Sequence, residues 1–158
     1  MIAVDESGAM LAAARKRLHG VENVDIRTGR LEALPLSDAE VDVALLFLVL
    51  HYVTDPARVI SEAVRVLKPG GRLLVLDMMP HDRQDLRQTM GHLWQGFDAT
   101  TLGGWMQAAG LESFRYNGLP ADPDAKGPTL FAASGKRSAV AAKSSRKKAD
   151  AVPLMKTA

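Results

Sequence analysis

Two histidines stand at positions suited to proton transfer. His51 follows the apolar run Val41–Phe47, and His81 follows a second apolar run at residues 73–76. Imidazole takes up or releases a proton near neutral pH, so each is a candidate general base. The alternatives are that His51 is a packed structural histidine and that His81 caps the helix after it. The four histidines do not cluster at the spacing of metal ligands, and we predict no metal site.

An acidic residue, Asp5, stands between the short apolar stretch 2–4 and a helix that Ser7 caps. In nucleotide-binding α/β folds, an acid at the end of a strand and before a helix commonly binds ribose hydroxyls. The alternative is an ordinary helix cap or a solvated acid. Asp5 is therefore a candidate nucleotide ligand.

The elements that position the histidines form a strand–helix–strand unit. Val41–Phe47 is almost wholly apolar, as a strand is when both of its faces are covered. A helix signal begins at Asp55-Pro56 and stops at Pro69-Gly70-Gly71, and residues 73–76 form the second strand. Ligands of open α/β sheets sit beyond the carboxyl ends of the strands, so the stretches just after the two strands are the ones of functional interest.

The remaining periodicity predicts one strand near the sheet edge, two further helices and two final strands, over residues 24–27, 82–94, 98–109, 111–116 and 130–133. Three aromatic residues in the helical region, Trp94, Phe97 and Trp105, have the spacing of core residues, although a place over a ligand pocket is the alternative.

Three stretches together carry a family resemblance: VDESGAML, LEALPL, and VDVALLFLVLHYV with the following DPARVISEAVRVLKPGGRLLVLDMMPHDR. They resemble class I S-adenosyl-L-methionine (SAM)-dependent methyltransferases of the ubiquinone/menaquinone small-molecule type. They are most similar to those fused behind an ArsR-type repressor, which carry a similar PHDR…GHLWQGF segment. The resemblance covers roughly residues 2–134. It implies a Rossmann-like α/β sheet with an antiparallel final strand, SAM as cofactor and a small-molecule methyl acceptor, with an ArsR-type regulator as a fused or separate partner.

The resemblance also implies contacts to the cofactor: Asp5 at the ribose, Glu6 and Met10 near the adenosine, the backbone of Leu31 at the adenine, and Phe47 and Leu48 beside the methionine moiety. The methyl group is already activated, so alignment of donor and acceptor supplies much of the catalysis. A general base helps when the acceptor is a hydroxyl, and the candidates are His51 and His81.

The sequence departs from the family pattern at two places. Arg30 follows Gly29 where the family has an acid or an amide, and an arginine cannot accept a hydrogen bond from the adenine amino group. Its alternative role is that of a solvated loop residue. The chain also contains no GxGxG turn, whose glycines let the backbone approach SAM. We therefore predict an N-terminally truncated sheet that lacks the first strand and the glycine-rich turn.

The absent strand would lie between the strands at residues 2–4 and Val41–Phe47. Without it, backbone groups of an apolar strand stay unpaired, which favours aggregation. We expect either that the chain is a piece of a longer protein or that another chain completes it.

Composition narrows the class of protein. A chain of 158 residues is about one domain, and 47% hydrophobic residues can form an ordinary core. The absence of cysteine rules out disulfides and thiolate metal sites and fits a reducing compartment. No apolar run approaches the roughly 20 residues of a membrane span, and the first residues lack the pattern of a signal peptide. We expect a cytoplasmic protein.

The net charge of +2 is unevenly distributed. Residues 135–158 hold seven basic residues against Asp150 alone, so this segment carries +6 and the rest of the chain −4. We predict a partial methyltransferase domain at 1–134 and a disordered basic tail at 135–158. Basic tails attract nucleic acid, but this one has no aromatic residue to stack on bases, so we expect weak binding at most.

Two functions remain open from the sequence. The first is a SAM-dependent methyltransferase acting on a small molecule, as a fragment of a longer protein. The second is a non-catalytic or regulatory domain derived from a methyltransferase that binds a partner, which the missing glycine turn and Arg30 favour. A dinucleotide-dependent dehydrogenase is disfavoured by LEALPL and LKPGGRLLVLD.

Overall fold

The computed structural model describes residues 1–121 and 124–139. These residues form six strands and four α-helices in the order β1 Ile2–Asp5, α1 Gly8–Arg17, β2 Asp25–Thr28, β3 Val41–Phe47, α2 Pro56–Val66, β4 Leu67–Met78, α3 Asp85–Met90, α4 Ala99–Ala108, β5 Leu111–Gly118 and β6 Leu130–Arg137. A short 3₁₀ turn, Leu50–Tyr52, follows β3. None of the described helices is long and apolar enough to span a bilayer.

The strands form two sheets. β1 and β2 make a parallel pair, and the larger sheet has the order β3-β4-β6-β5. β3 and β4 are parallel and joined through α2, whereas β6 is antiparallel to both β4 and β5. The predicted strand–helix–strand unit and the antiparallel final strand are therefore confirmed.

Helix α2 has a capped N-terminus and one apolar face, and this face packs on one side of the larger sheet. Asp55 accepts a hydrogen bond from the backbone N–H of Arg58 at 3.0 Å, and Pro56 occupies the first turn. The apolar stripe of the helix is buried against the inward side chains of β3 and β4, which include Leu46 and Leu73.

The prediction that both faces of β3 are covered is wrong for the described residues. Leu46 points inward and is 6% exposed, whereas its neighbour Leu45 is 59% exposed. Val43 and Phe47 lie on the same outer side, and Leu74 stands opposite Leu45 in the β3–β4 register. We call Val43, Leu45, Phe47 and Leu74 the open face. The buried side chains of α2 and α4 belong to the same core as Leu46, on the other side of the sheet, and no described element covers the open face.

Each of the two sheets has an edge strand that pairs with no described strand on its outer side, next to the position predicted for the absent family strand. Among the described residues, β1 pairs only with β2, and β3 pairs only with β4. No described strand lies between β1 and β3, where the sequence placed the absent family strand.

Three predicted boundaries need correction. Helix α2 ends at Val66 and β4 begins at Leu67, so Pro69-Gly70-Gly71, predicted as the stop between helix and strand, lies within β4. The helix expected over residues 82–94 is only α3, because Gly91 adopts a left-handed conformation (φ 72°) that ends it. The chain then turns inward, and the N–H groups of Leu93 and Trp94 donate to the carbonyl of His51 at 2.8 and 3.3 Å. At the other end, residues 135–137 continue β6 instead of starting the tail. Residues 138–139 follow the strand, and the remainder of the predicted tail, residues 140–158, lies outside the described residues.

The predicted aromatic core is confirmed. Phe97 is buried, and Trp94 and Trp105 pack against the same core from partly buried positions. The three rings meet with centroids 5.7 to 5.9 Å apart, a range typical of favourable aromatic pairs.

The alternation along β3 leads to a matched pair of substitutions. Leu46→Ala leaves a cavity in the core and should lower the free energy of unfolding by about 2–4 kcal/mol, whereas Leu45→Ala should change it by less than about 0.5 kcal/mol. Urea denaturation measures both values. In sedimentation velocity, Leu45→Lys should increase the monomer fraction because it places a charge on the open face. Equal losses at the two positions would contradict the assignment of the faces.

Candidate functional site

The candidate site lies where the parallel strands β3 and β4 end side by side. Phe47 pairs with Leu76, so the turn after β3 and the residues after β4 are neighbours. Leu48, the first residue of the turn, has φ 52°, a left-handed conformation that is costly for a side chain of its size. Its N–H donates to the carbonyl of Leu76 at 2.8 Å, which holds the strained residue against β4. Such strain is characteristic of functional sites.

A buried carboxylate organises this turn. Asp77, at the end of β4, is fully buried, and its Oδ1 lies 2.7 Å from Nδ1 of His51, which is 1% exposed. Asp77 also accepts the backbone N–H groups of Leu50, at 3.1 Å, and Met78, at 2.8 Å. A buried charge of this kind is tolerated only when it is hydrogen-bonded, and here three donors surround it.

The contact with Asp77 also determines the tautomer of His51. An ionised carboxylate only accepts hydrogen bonds, so Nδ1 of His51 carries the proton and Nε2 keeps its lone pair when the ring is neutral. The expectation that His51 is a packed histidine is confirmed as far as burial goes. The tautomer is nevertheless the one a general base requires, and that role remains a prediction.

His81 presents the opposite tautomer. Its Nδ1 accepts the N–H of Arg83 at 3.2 Å, so the proton of the neutral ring is on Nε2, a buried atom without a partner among the described residues. Burial, followed by the nearby charge of Arg83, lowers the pKa of His81 below its ordinary value. His81 therefore offers a hydrogen-bond donor. Its predicted role as a helix cap is wrong, because α3 begins at Asp85 with Gln84 before it.

His92 was not recognised from the sequence, where it looks like an ordinary helix residue. It follows the end of α3 and is 2% exposed, with its ring centroid 4.3 Å from that of His51. Neither ring nitrogen has a partner among the described residues. Burial is the main cause that lowers the pKa of His92, and His51 and His81 add to the effect. The spacing of His92 fits a continuous helix, so its burial was not predicted. The glycine at position 91 is the residue whose type indicates that the helix ends before His92.

The residues expected at the nucleotide belong to the smaller sheet and α1. Asp5 is partly buried, and its Oδ1 accepts the N–H of Ser7 at 2.8 Å, which holds the carboxylate at the end of β1. Asp5 and Met10 line one small cavity of about 150 Å³ together with Leu11. Glu6 is exposed. The structure thus brings two of the three residues together.

The loop expected at the adenine is held by α2. Leu31 packs against the core, whereas the side chain of Arg30 is 71% exposed, which favours its role as a solvated loop residue. Further along the loop, Glu62 accepts the N–H of Leu34 at 2.7 Å, and Arg65 donates to the carbonyl of Leu36 at 2.9 Å. The hydrogen bond from Arg65 is the main cause that lowers the pKa of Glu62.

The residues expected at the methionine moiety lie at the end of β3. Phe47 belongs to the open face, and Leu48 lines a cavity of about 400 Å³, the end cavity, which it shares with Met78, Leu119, Pro128 and Leu130. Within residues 1–121 and 124–139, no three metal-binding side chains converge on one point. The expectation of a metal-free protein remains a prediction.

Comparison with known proteins relates this chain to methyltransferases. Residues 1–75 match the family model described as a methyltransferase domain. A probable S-adenosylmethionine-dependent methyltransferase of Mycolicibacterium smegmatis is 45% identical over 75 residues, which are 48% of this chain and 28% of the relative. The ubiquinone/menaquinone biosynthesis C-methyltransferase UbiE of an Enterobacter species is 30% identical in an alignment 150 positions long, which covers 77% of this chain and 60% of the enzyme. The chain spans less than two thirds of the length of these relatives.

Solved structures share the fold. A SAM-dependent methyltransferase from Thermotoga maritima superimposes with a TM-score of 0.67 at 26% identity, over 85% of this chain and 72% of that one. The YcgJ protein of Bacillus subtilis gives a TM-score of 0.69 at 19% identity, over 87% of this chain and 82% of that one. The architecture is therefore the Rossmann-like α/β fold of SAM-dependent methyltransferases.

The buried carboxylate gives a second matched pair of substitutions. Asp77→Asn should lower the free energy of unfolding by at least about 2 kcal/mol, since hydrogen bonds to a charged group contribute about 1.5–3 kcal/mol. Asp42→Asn, which removes only an exposed ion pair with Lys68, should cost less than about 1 kcal/mol. Urea denaturation compares them. If Asp77→Asn is as mild as the control, the carboxylate does not organise the turn.

The two histidines with lowered pKa predict a pH dependence of stability. Their neutral forms are favoured in the folded protein, so the unfolded chain binds more protons below the ordinary pKa of 6.5. The free energy of unfolding should therefore fall as the pH drops from 7.5 through 6.5 toward the lowered values. His92→Phe should reduce this slope, and His19→Gln, at an exposed position, should leave it unchanged. A slope unaffected by His92→Phe would rule out this residue as its source.

Proposed function

We propose that this chain, which is related by sequence and fold to the class I SAM-dependent methyltransferases, transfers the methyl group of SAM to a small molecule as part of a longer cytoplasmic protein. Because the proteins that it resembles are SAM-dependent methyltransferases, the chain is an enzyme by resemblance, and SAM is its implied cofactor. The observation that carries the proposal is the methyltransferase match over residues 1–75 on a fold whose β3 and β4 end in a strained, buried polar turn.

The residues present fit the ribose side of the cofactor. Asp5 stands at the end of β1 with one carboxylate oxygen held by Ser7, and Oδ2 accepts no hydrogen bond from a described residue. That oxygen would take a ribose hydroxyl. Glu6 and Met10 would lie near the adenosine, and Leu31 would place its backbone at the adenine.

In methyl transfer from SAM, the residues of this chain would act mainly by aligning the methyl donor with the acceptor. Bound SAM supplies a methyl group already activated on a sulfonium. Leu48, held against β4 by Leu76, would border the methionine side together with Phe47. Where the acceptor is a hydroxyl, Nε2 of His51 would take its proton, because Asp77 holds the proton already present on Nδ1. His81 would donate a hydrogen bond from Nε2.

A preceding segment would complete the sheet. The chain spans less than two thirds of the length of these relatives, and among the described strands β1 and β3 each have one edge that pairs with nothing. A strand paired to both edges and ending in a glycine-rich turn would supply backbone N–H groups to the methionine end of SAM. Helices flanking that strand would cover the open face. A fused or separate ArsR-type regulator stays a prediction from the sequence.

A second candidate function is a non-catalytic domain that binds a partner protein. The open face favours it, because exposed apolar surface of this kind marks protein interaction sites. SAM affinity in the completed protein separates the two functions, since a domain that only binds a partner has no need of the cofactor.

Isothermal titration of SAM and NAD tests the proposed function. We expect the 158-residue chain alone to bind SAM more weakly than micromolar, because it lacks a glycine turn, and a form extended by its upstream coding sequence to bind at micromolar concentration. NAD should bind neither form. Micromolar SAM binding by the purified monomeric chain would contradict the incomplete site, and tight NAD binding would contradict a methyltransferase.

Substitution of Asp5 tests the ribose contact. In the extended form, Asp5→Ala should weaken SAM binding by about 1.5–3 kcal/mol, the loss expected for hydrogen bonds to a charged group. Glu22→Ala, an exposed acid elsewhere in this part of the chain, should leave the affinity unchanged. An Asp5→Ala protein with full affinity would remove Asp5 from the site.

A further inference from the structure

We infer that residues 91–96 form a strap that closes over His51 and must open before this histidine can meet a methyl acceptor, and that acid favours the open form. This inference rests on the proposed function and assigns a regulation to the same site. His51 is 1% exposed, which leaves almost no surface of its ring for another molecule to contact. The strap supplies part of this cover, because the ring of His92 lies 4.3 Å from that of His51 between centroids.

The strap is bounded by two glycines in the left-handed conformation. Gly91, with φ 72°, ends α3, and Gly96 has φ 82°. Glycine has no side chain to oppose rotation of the backbone, so both positions are suited to act as hinges. Beyond Gly96 the N–H of Phe97 donates to the carbonyl of Met78 at 3.0 Å, which fixes the chain to the end of β4 again.

Hydrogen bonds to the turn after β3 hold the strap closed. The N–H groups of Leu93 and Trp94 donate to the carbonyl of His51 at 2.8 and 3.3 Å. The indole Nε1 of Trp94 donates to the carbonyl of Val53 at 2.9 Å. None of these bonds joins two strands, so the strap can be released while the sheet stays intact.

Closure leaves buried nitrogen atoms without partners. Both ring nitrogens of His92 and the side-chain nitrogen of Gln95 are buried, and none of the three has a hydrogen-bond partner among the described residues. A buried polar atom that stays unpaired is costly, and opening would expose all three atoms to water. The closed form therefore carries a cost that the open form relieves, which narrows the free-energy gap between them.

The surroundings of His92 keep its ring neutral in the closed form. The rings of His51 and Tyr52 face it from the turn after β3, Asp77 lies at the end of β4, and His81 follows β4. From α3 it meets a backbone carbonyl and, among the described residues, no charge that shifts its pKa. Burial is the main cause that lowers the pKa of His92; His51 and His81 lower it further, and Asp77 raises it.

Opening reverses the effect of burial. In water the ring of His92 returns to its ordinary pKa of 6.5, so the open form binds a proton that the closed form excludes. The fraction of molecules with an open strap should therefore rise as the pH falls from 7.5 through 6.5 toward the lowered pKa of the closed form. Acid thus increases the access of solvent and ligands to His51.

Amide hydrogen exchange of the full 158-residue chain, measured by NMR without SAM, tests the inference. The protection factors of Leu93 and Trp94 should lie at least about tenfold below that of Phe97, which follows the Gly96 hinge. Between pH 7.5 and 5.5 they should fall at least about threefold more than that of Phe97, and His92→Phe should abolish this extra fall. Equal protection at the three amides, or an extra fall that persists in His92→Phe, would overturn the inference.

Two tryptophans give a matched pair of substitutions. Trp94→Phe removes the hydrogen bond to Val53 and should lower the protection of Leu93 about two- to tenfold, the range expected for one net hydrogen bond. Trp105→Phe changes another partly buried tryptophan of the same core and should leave the ratio of protection between Leu93 and Phe97 unchanged. Equal changes of this ratio in the two proteins would contradict the strap.

The reactivity of His51 tests whether the strap controls access to it. Diethyl pyrocarbonate modifies neutral histidines that solvent reaches, and mass spectrometry locates the modified residue. Trp94→Phe should raise the rate at His51 by about the factor by which it lowers the protection of Leu93, whereas the exposed His19 should react at an unchanged rate. An unchanged rate at His51 would show that the strap does not gate this histidine.

The titration of SAM distinguishes this inference from the proposed function. If the extended protein binds SAM but the strap exchanges only together with the core, the inference alone fails. If the strap opens but the extended protein binds no SAM, the methyltransferase proposal fails, and the strap still controls access to a buried histidine.

Discussion

The carboxylate of Asp77 is the interaction on which the candidate site depends. It is buried at the end of β4 and reaches across to the neighbouring strand, where it accepts hydrogen bonds from the backbone of Leu50 and the ring of His51. An unpartnered carboxylate in such a place would be too costly to keep charged, so its donors must stay in position. One group therefore aligns the end of β4 with the turn after β3, and the strained Leu48 lies within that turn.

The turn that contains His51 also contacts a third segment, residues 92–94. The carbonyl of His51 accepts hydrogen bonds from Leu93 and Trp94, which brings His92 over the His51 ring. Burial is the main cause that lowers the pKa of His81 and of His92; the charge of Arg83 adds to the effect at His81, and the neighbouring histidines add to it at His92. With their protons assigned by Asp77 and Arg83, His51 and His81 present opposite atoms at Nε2, a lone pair on one ring and an N–H on the other. In the proposed chemistry, His51 would accept a proton at this atom and His81 would donate a hydrogen bond from it.

The larger sheet is well packed on one side and bare on the other. Because side chains alternate along a strand, β3 sends Leu46 into the core and Leu45 outward, although the two residues are identical in type. The open face adjoins the edge of β3 that pairs with no described strand, and this chain spans only 60% of the Enterobacter enzyme that it matches. On the proposal of a preceding segment, one added layer of the sheet would complete the site and cover the exposed apolar surface together.

Local signals in the sequence were enough to determine the elements and their connections. The apolar runs of β3 and β4, the Asp55-Pro56 cap and the terminal antiparallel strand follow from periodicity, capping and the family resemblance, and the structure has them close to the expected residues. The positions of Asp5, His51 and His81 just after strands were also visible, because strand ends can be located from the sequence alone. The sequence could not show which side of β3 is covered, since an apolar run is the same whether one layer or two packs on it. Burial of His92 beside His51, the two tautomers and the end cavity arise from contacts between segments that are far apart in the chain. Only the tertiary structure decides such contacts, because no local pattern encodes them.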